Sequence, residues 1–146
     1  MPHRAAVCIY LDGEIAEIYM LMDAEPGRAR EFILSLALVL DGCRDAEEVR
    51  RRLRMPEARP GFFRQLLASA EDPFAVDLTS RCVYCSPVPL SREELGRTCV
   101  MDLGRTDALF SGGLAADPRL YIPFEAIPLR EIRGSEAYWH LKNRGH

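Results

Sequence analysis

The fold is decided by residues 31–42, EFILSLALVLDG, in which apolar side chains occur on every side of a helical projection. At a period of about 3.6 residues these side chains cannot all face one way, so the helix must be covered on most of its circumference. A membrane span would need a run of about 20 apolar residues. Charged residues close this run at both ends, and they are Arg28, Arg30, Glu31 and Asp41. The stretch therefore predicts the central helix of a protein core.

Both ends of the predicted central helix carry capping signals. Gly42 can adopt the left-handed conformation that closes a helix, because it has no Cβ. The start lies within residues 23–27, where Asp23 can act as the cap and Pro26 suits the first turn. These signals predict a single helix that stops at Gly42.

A β-hairpin is predicted before the central helix. Residues 5–11 and 14–22 are rich in strand-forming side chains and are separated by Asp12-Gly13. Asp-Gly is a preferred two-residue hairpin turn, because both of its residues need a positive φ. The chain is therefore expected to open with two antiparallel strands.

Two further helices are predicted after the central one. Asp45 can cap the second helix, and Glu48 can reach back to complete a capping box. The buried stripe of this second helix is expected to contain Ala46, Val49 and Leu53. A third helix follows from the helical spacing of Phe62, Phe63, Leu66, Leu67 and Ala70.

Beyond Pro73 the hydrophobic period changes from about 3.6 to about 2, which predicts strands. Strands are expected near residues 74–79, 81–88 and 98–103, followed by a loop-rich region over 104–128. A short terminal helix is expected over 136–142, with Ser135 as its cap and with the only tryptophan, Trp139. The predicted fold class is α+β, with an N-terminal β-hairpin followed by three helices, then a strand- and loop-rich half with a short C-terminal helix. The sequence has no βαβ alternation of the kind that would suggest a parallel sheet. One domain over residues 1–146 is expected, with a possible seam near residue 73.

Composition limits the classes of function. A chain of 146 residues with 48% hydrophobic content can build a core without disulfides or metal. The formal net charge of −3 gives no overall attraction to phosphate backbones, so a nucleic-acid partner is not expected. The sequence opens without a signal-peptide pattern and lacks a membrane-length apolar run, which leads us to expect a cytoplasmic protein with no membrane partner.

A zinc site is the most specific chemical hypothesis. Cys82-Val-Tyr-Cys85 places two thiols at a separation that suits tetrahedral Zn²⁺, and Cys99 with His140 could complete four ligands. The alternative is a pair of ordinary thiols on a strand, since neither a second CxxC nor an HxxxH motif accompanies the first. Redox activity is disfavoured because Ser-Pro, and not a helix, follows the pair. We therefore expect no cofactor, with zinc as the alternative.

Two other groups of residues are candidate sites. Arg50, Arg51 and Arg54 could contact phosphates from the second helix. Consecutive helical residues point about 100° apart, however, so these arginines are expected to form a solvated surface. The histidines His3, His140 and His146 lie near the termini and do not suggest a catalytic triad.

The segment 38–53, LVLDGCRDAEEVRRRL, resembles the PqqD-type winged-helix family, the leader-peptide recognition elements of modified-peptide biosynthesis. The matching positions are Leu40, Asp41, Gly42, Arg44, Glu48 and Val49. The resemblance covers roughly the first half of the chain. It implies a non-catalytic module that binds a peptide in a groove between the sheet and the third helix, where Phe62 and Phe63 would contact the peptide.

The leading functional hypothesis is a small, non-enzymatic module that binds a protein or peptide. It rests on the absence of a catalytic constellation in the sequence and on the winged-helix resemblance. A zinc-binding or enzymatic domain that uses Cys82, Cys85 and Cys99 is the first alternative. A nucleic-acid-binding regulator that uses the arginines of the second helix is the other.

Overall fold

The computed structural model describes residues 5–21, 26–54, 72–84, 88 and 121–144. The elements in chain order are β1 (Ala5–Leu11), β2 (Glu14–Leu21), α1 (Pro26–Leu40), α2 (Ala46–Leu53), β3 (Asp72–Asp77), β4 (Cys82–Tyr84), β5 (Tyr121–Pro123), a 3₁₀ turn (Phe124–Ala126), α3 (Leu129–Arg133) and α4 (Glu136–Arg144). The predicted third helix and the predicted strand at 98–103 lie outside the described residues.

The N-terminal hairpin forms at the predicted turn. Asp12 and Gly13 have φ angles of 53° and 81°, as a turn with two left-handed residues requires. Strands β1 and β2 are antiparallel, and their register shifts between Ile9 and Tyr10. This bulge lets an extra residue of β2 fit against β1.

The described strands form one mixed sheet in the order β2-β1-β3-β4-β5. Strand β1 is antiparallel to β2 but parallel to β3, with Ala5 opposite Asp72 and Tyr10 opposite Asp77. The predicted α+β arrangement, with antiparallel strands segregated from the helices, is therefore wrong. The prediction failed for a physical reason. Hydrophobic alternation with a period of 2 shows which face of the sheet each side chain occupies, but it does not show which strand lies next to it. Because β3 begins at Asp72 and pairs with β1, the sheet also crosses the possible seam at residue 73.

Both faces of the sheet are buried. One face packs against α1 and contributes Val7, Ile9, Val76, Val83 and Ile122 to the main core. The other face carries a second apolar cluster, which includes Ala6, Cys8, Ile18, Ala75 and Tyr84. The continuous apolar character of β1, AAVCIYL, follows from this double burial.

Helix α1 is the central element of the main core, and none of its residues from 29 to 40 is exposed. Leu34, Leu36 and Leu40 are fully buried, whereas Phe32 and Leu38 are only partly covered. The helix ends at Leu40, and Gly42 has a φ of 90°, so the glycine meets the conformational requirement that the sequence predicts. Coverage of α1 on most of its circumference explains why its apolar residues show no single stripe.

Helix α2 begins with the predicted cap. The Glu48 amide donates to Asp45 Oδ1 over 2.8 Å, while the Glu48 carboxylate accepts from the Arg44 amide over 3.0 Å. The amide of Arg44 lowers the Glu48 pKa. Further along α2, the Arg52 guanidinium donates to the carbonyl oxygens of Val39 and Asp41 over 2.9 and 3.1 Å. Arg52 thereby satisfies carbonyl groups that the end of α1 leaves open.

The described C-terminal residues return the chain to the sheet and then to α1. Strand β5 pairs with β4, and Ile122 lies opposite Val83. The region over 104–128 was expected to be loop, so β5 and the 3₁₀ turn are corrections to that part of the prediction, and α3 is an addition to it. None of the helices in the described part of the chain has the length and apolar character that a membrane crossing requires.

Candidate functional site

Helix α4 is held at its start by Ser135. Its hydroxyl donates to the carbonyl of Ile132 over 2.7 Å and accepts from the Tyr138 amide over 3.2 Å. The first bond ties the cap to the end of α3, and the second satisfies an amide in the first turn of α4. Ser135 was predicted as this cap from its position before Glu136. The direction of α4 is therefore set by short-range chemistry.

The packing of α4 on α1 decides which α4 side chains reach solvent. Ala137 and Leu141 are buried against the core, so this side of α4 faces inward. Beside them, the His140 ring meets the edge of Phe32 with the ring centroids 6.3 Å apart and an interplanar angle of 78°. Such an edge-to-face contact is a favoured aromatic geometry. It fixes the two rings as one wall between the helices.

An ion pair fixes α3 against α1. Arg30 Nη1 lies 2.6 Å from Glu131 Oε1, and the Arg30 side chain is 10% exposed. A charge so nearly buried needs its partner, because desolvation would otherwise disfavour it. Arg30 therefore has a structural role, although it is next to Glu31 in the sequence.

A surface cavity of about 280 Å³ opens between α1 and α4. We call it the α1/α4 cleft. Its described lining consists of Glu31, Phe32, Glu136, Ala137 and His140. Two helices each bring one carboxylate, and among the described residues no arginine or lysine forms an ion pair with either of them. The cleft thus combines negative charge with an aromatic wall, which suits a cationic group with a flat or apolar body.

Trp139 lies on the outer side of α4. At about 100° per residue it points away from Ala137 and Leu141, and it is 50% exposed. The Lys142 ammonium lies 5.4 Å from the Trp139 ring centroid and 5.6 Å from that of Tyr138. These distances are within the range of cation–π attraction. A large, rigid aromatic surface is thereby held in place within one helical turn of the cleft.

A second cavity, of about 230 Å³, lies between the hairpin turn and the start of α2. Its described lining includes Asp12, Glu14, Arg44 and Asp45. Asp45 caps α2, and the Asp12 amide donates to Thr79 Oγ1 over 2.8 Å. These polar groups therefore stabilise turns, and none of the described residues that line this cavity is aromatic, in contrast to the α1/α4 cleft.

Arg81 forms the densest set of charged contacts in the described structure. Its guanidinium pairs with Asp41 over 3.1 and 2.9 Å and with Glu125 over 2.5 Å, and its centre lies 5.5 Å from the Phe124 ring centroid. The hydrogen bonds that the Arg81 guanidinium donates to Asp41 are the main cause of the raised Arg81 pKa. These contacts connect Arg81 to the turn after α1 and to the 3₁₀ turn, so Arg81 stabilises the packing of separate elements of the fold.

The predicted zinc ligands are only partly described. Cys82 belongs to the apolar cluster on the sheet face opposite α1, and burial raises the pKa of its thiol. His140 is exposed on α4, which packs on the other side of the sheet, so the structure does not bring these two residues together. Cys85 and Cys99 lie outside the described residues. Within the part of the chain that is described, no group of three or more metal-ligating side chains is found.

The arginines of α2 do not converge. Arg51 is exposed, Arg50 is half-buried and close enough to Glu17 to influence its carboxylate, and Arg54 is the left-handed cap residue of α2 with a φ of 49°. The Arg52 guanidinium donates hydrogen bonds to two carbonyl oxygens at the end of α1. The aromatic pair predicted to contact a peptide, Phe62 and Phe63, lies outside the described residues.

Glu17 is a polar group that the sequence did not single out. It is 2% exposed on β2; Oε1 accepts from the Ile18 amide over 3.0 Å, and Oε2 has no partner in the described structure. Burial raises the Glu17 pKa, while the Ile18 amide and the charge of Arg50 oppose that shift. The available signal was a glutamate in the interior of an otherwise apolar strand, EIAEIYML, whose other glutamate is the first residue of the strand.

The residues of the α1/α4 cleft were also largely missed. His140 was considered as a zinc ligand, and Trp139 was noted only as the sole tryptophan. Glu31 and Glu136 are distant in sequence, and only the packing of α4 on α1 brings them to one cavity. Comparison with protein-family models, with curated proteins and with solved structures gives no match to this chain.

Proposed function

We propose that this protein is a non-enzymatic module that binds a peptide segment of a partner protein at the α1/α4 cleft. The observation that carries the proposal is the position of a half-exposed tryptophan, Trp139, beside a cavity with charged and aromatic walls. A segment lying along the outer side of α4 would cover Trp139 and place one side chain in the cleft.

The size and composition of this surface support a peptide over a small-molecule substrate. Small-molecule pockets usually measure about 300–1,000 Å³ and enclose most of their ligand. The α1/α4 cleft, at about 280 Å³, is at the lower limit of that range and suits a single side chain. Tryptophan is among the residues that most often dominate binding energy at protein interfaces.

Two further observations agree with a peptide partner. The resemblance of residues 38–53 to PqqD-type elements implies the same class of function. The carboxylates of Glu31 and Glu136, which form no ion pair with a described arginine or lysine, would repel the phosphate groups of a nucleic acid. The formal net charge of −3 has the same effect over the whole chain.

The proposal is tested by selecting binders from a displayed library of random 12-residue peptides. Selected peptides are labelled, and their dissociation constants are measured by fluorescence anisotropy. We expect Trp139→Ala to weaken binding about tenfold or more, as the loss of an interface tryptophan typically does. Val88→Ala removes another exposed apolar side chain and should leave affinity unchanged. Because Trp139 is the only tryptophan, its own emission should also shift when peptide binds.

A library that yields no binder would overturn the proposal. So would binders whose affinities are the same for the parent protein and for Trp139→Ala.

A further inference from the structure

We propose that the partner segment inserts an arginine side chain into the α1/α4 cleft, between Glu31 and Glu136 and against Phe32. This inference rests on the proposed function, since it specifies what the bound peptide must contain. The described structure offers three observations in its support: the charge of the cleft, its aromatic wall, and an equivalent arrangement within the fold.

The charge of the cleft favours a cation. Glu31 comes from α1 and Glu136 from the first turn of α4, so the two carboxylates face a shared space from different elements. Arg30, the cation of α1 whose side chain is described, is already paired with Glu131. The described cation on α4, Lys142, lies against Trp139 and Tyr138. The two carboxylates therefore have no described partner within the fold.

The aromatic wall favours arginine over lysine. A guanidinium is flat, so it can stack on a ring while its N–H groups donate sideways to two carboxylates. An ammonium is a compact and strongly hydrated charge that gains less from such a wall. The Phe32 ring lines the cleft and makes an edge-to-face contact with the His140 ring beside it.

The fold already contains a guanidinium in such surroundings. Arg81 is held between two carboxylates from separate elements, Asp41 and Glu125, and lies over the ring of Phe124. The α1/α4 cleft repeats the two carboxylates and the phenylalanine ring but has no described arginine. We infer that the arginine in this second arrangement is supplied by the partner.

The test uses N-acetyl-arginine amide and its neutral analogue N-acetyl-citrulline amide, titrated into ¹⁵N-labelled protein and followed by NMR. The arginine derivative should shift the amide signals of Glu31, Phe32, Glu136 and His140 and bind in the millimolar range. The citrulline derivative should shift none of these signals. A Glu31→Gln, Glu136→Gln double variant should bind the arginine derivative about fivefold more weakly, as two exposed charge pairs imply. Glu47→Gln removes an exposed carboxylate of α2 and should bind as the parent does.

A second experiment replaces arginine by citrulline in one of the selected peptides and measures the affinity of both peptides. Loss of affinity supports the inference. Peptides that bind through Trp139 but tolerate citrulline, or that contain no arginine, would overturn the inference and leave the proposed function standing. Binding of the arginine derivative in the cleft without any peptide binder would overturn the proposed function, and with it the partner assigned here. Equal binding of the arginine and citrulline derivatives would refute the charge argument directly.

Discussion

Gly42 shows how a single residue fixes the end of α1. Its φ of 90° lies in the region that disfavours side chains, and the carbonyl of Leu40 accepts from the Cys43 amide over 3.1 Å to close the turn. No atom lies within 4 Å of the position that a Cβ would take, so the backbone conformation and not crowding excludes other residues. The cost of substitution at this site is therefore conformational.

We expect Gly42→Ala to lower the free energy of unfolding by about 1 kcal/mol, because alanine is disfavoured at positive φ. Gly42→Asn should cost less, since asparagine tolerates this region better. Urea unfolding of the three proteins measures both effects. An alanine variant as stable as the parent would mean that the turn does not need its left-handed residue.

Glu17 makes stability depend on pH. Its pKa is raised in the folded protein, mainly by burial, so folding favours the protonated carboxyl. Stability from this group is present at low pH and is lost as the pH rises from the ordinary carboxyl pKa through the raised value. Glu17→Gln stays neutral and should therefore gain stability relative to the parent between pH 4 and pH 7.

The change is measured as the difference in unfolding free energy between Glu17→Gln and the parent across that pH range. Glu47→Gln removes a carboxylate from an exposed residue and serves as the control. A difference for Glu17→Gln that does not grow with pH would show that its carboxyl is not stabilised in protonated form by folding.

At the scale of the element, α1 allows a comparison of two leucines in one helix. Leu36 is fully buried, whereas Leu38 is only partly covered at the edge of the core. Leu36→Ala should cost roughly 2–5 kcal/mol, because it leaves a cavity that the packed surroundings cannot fill. Leu38→Ala removes the same atoms from a half-exposed site and should cost distinctly less.

Urea midpoints of the two variants test the assignment of the central helix. Equal losses at the two positions would mean that α1 is not oriented as described. Equal urea midpoints for Leu36→Ala and the parent would mean that α1 is not part of the core.

The helices also show which parts of a fold can be predicted from one sequence. The hairpin turn at Asp12 and Gly13, the cap at Asp45 and the cap at Ser135 depend on residues close in sequence, and each was predicted from that local chemistry. The partner of β1 could not be predicted, because alternating side chains fit a parallel neighbour as well as an antiparallel one. The α1/α4 cleft is likewise formed only when α4 packs on α1.

At the scale of the whole molecule, metal content separates the proposed function from its zinc-dependent alternative. Cys82 is 5% exposed in an apolar cluster, and one CxxC motif supplies only half of a tetrahedral site. We expect protein purified without chelator to carry no stoichiometric Zn²⁺, and chelator to leave its unfolding unchanged.

Cys82→Ser and Cys43→Ser are the matched pair for this measurement, since both replace a buried thiol and only Cys82 belongs to the motif. About one Zn²⁺ per chain that is lost in Cys82→Ser and retained in Cys43→Ser would establish the zinc-dependent alternative.

The parallel pairing of β1 with β3 also imposes an order on synthesis. As the chain leaves the ribosome, β1 can pair at once with β2, but its other edge has no partner until residues 72–77 emerge. At roughly 5–20 residues per second this takes on the order of several seconds. During that interval the nascent chain presents the open edge of a strongly apolar strand, which is a template for pairing with other chains. The edge of β1 is covered only when β3 has been synthesised, so the risk of aggregation is expected to be highest before residues 72–77 emerge.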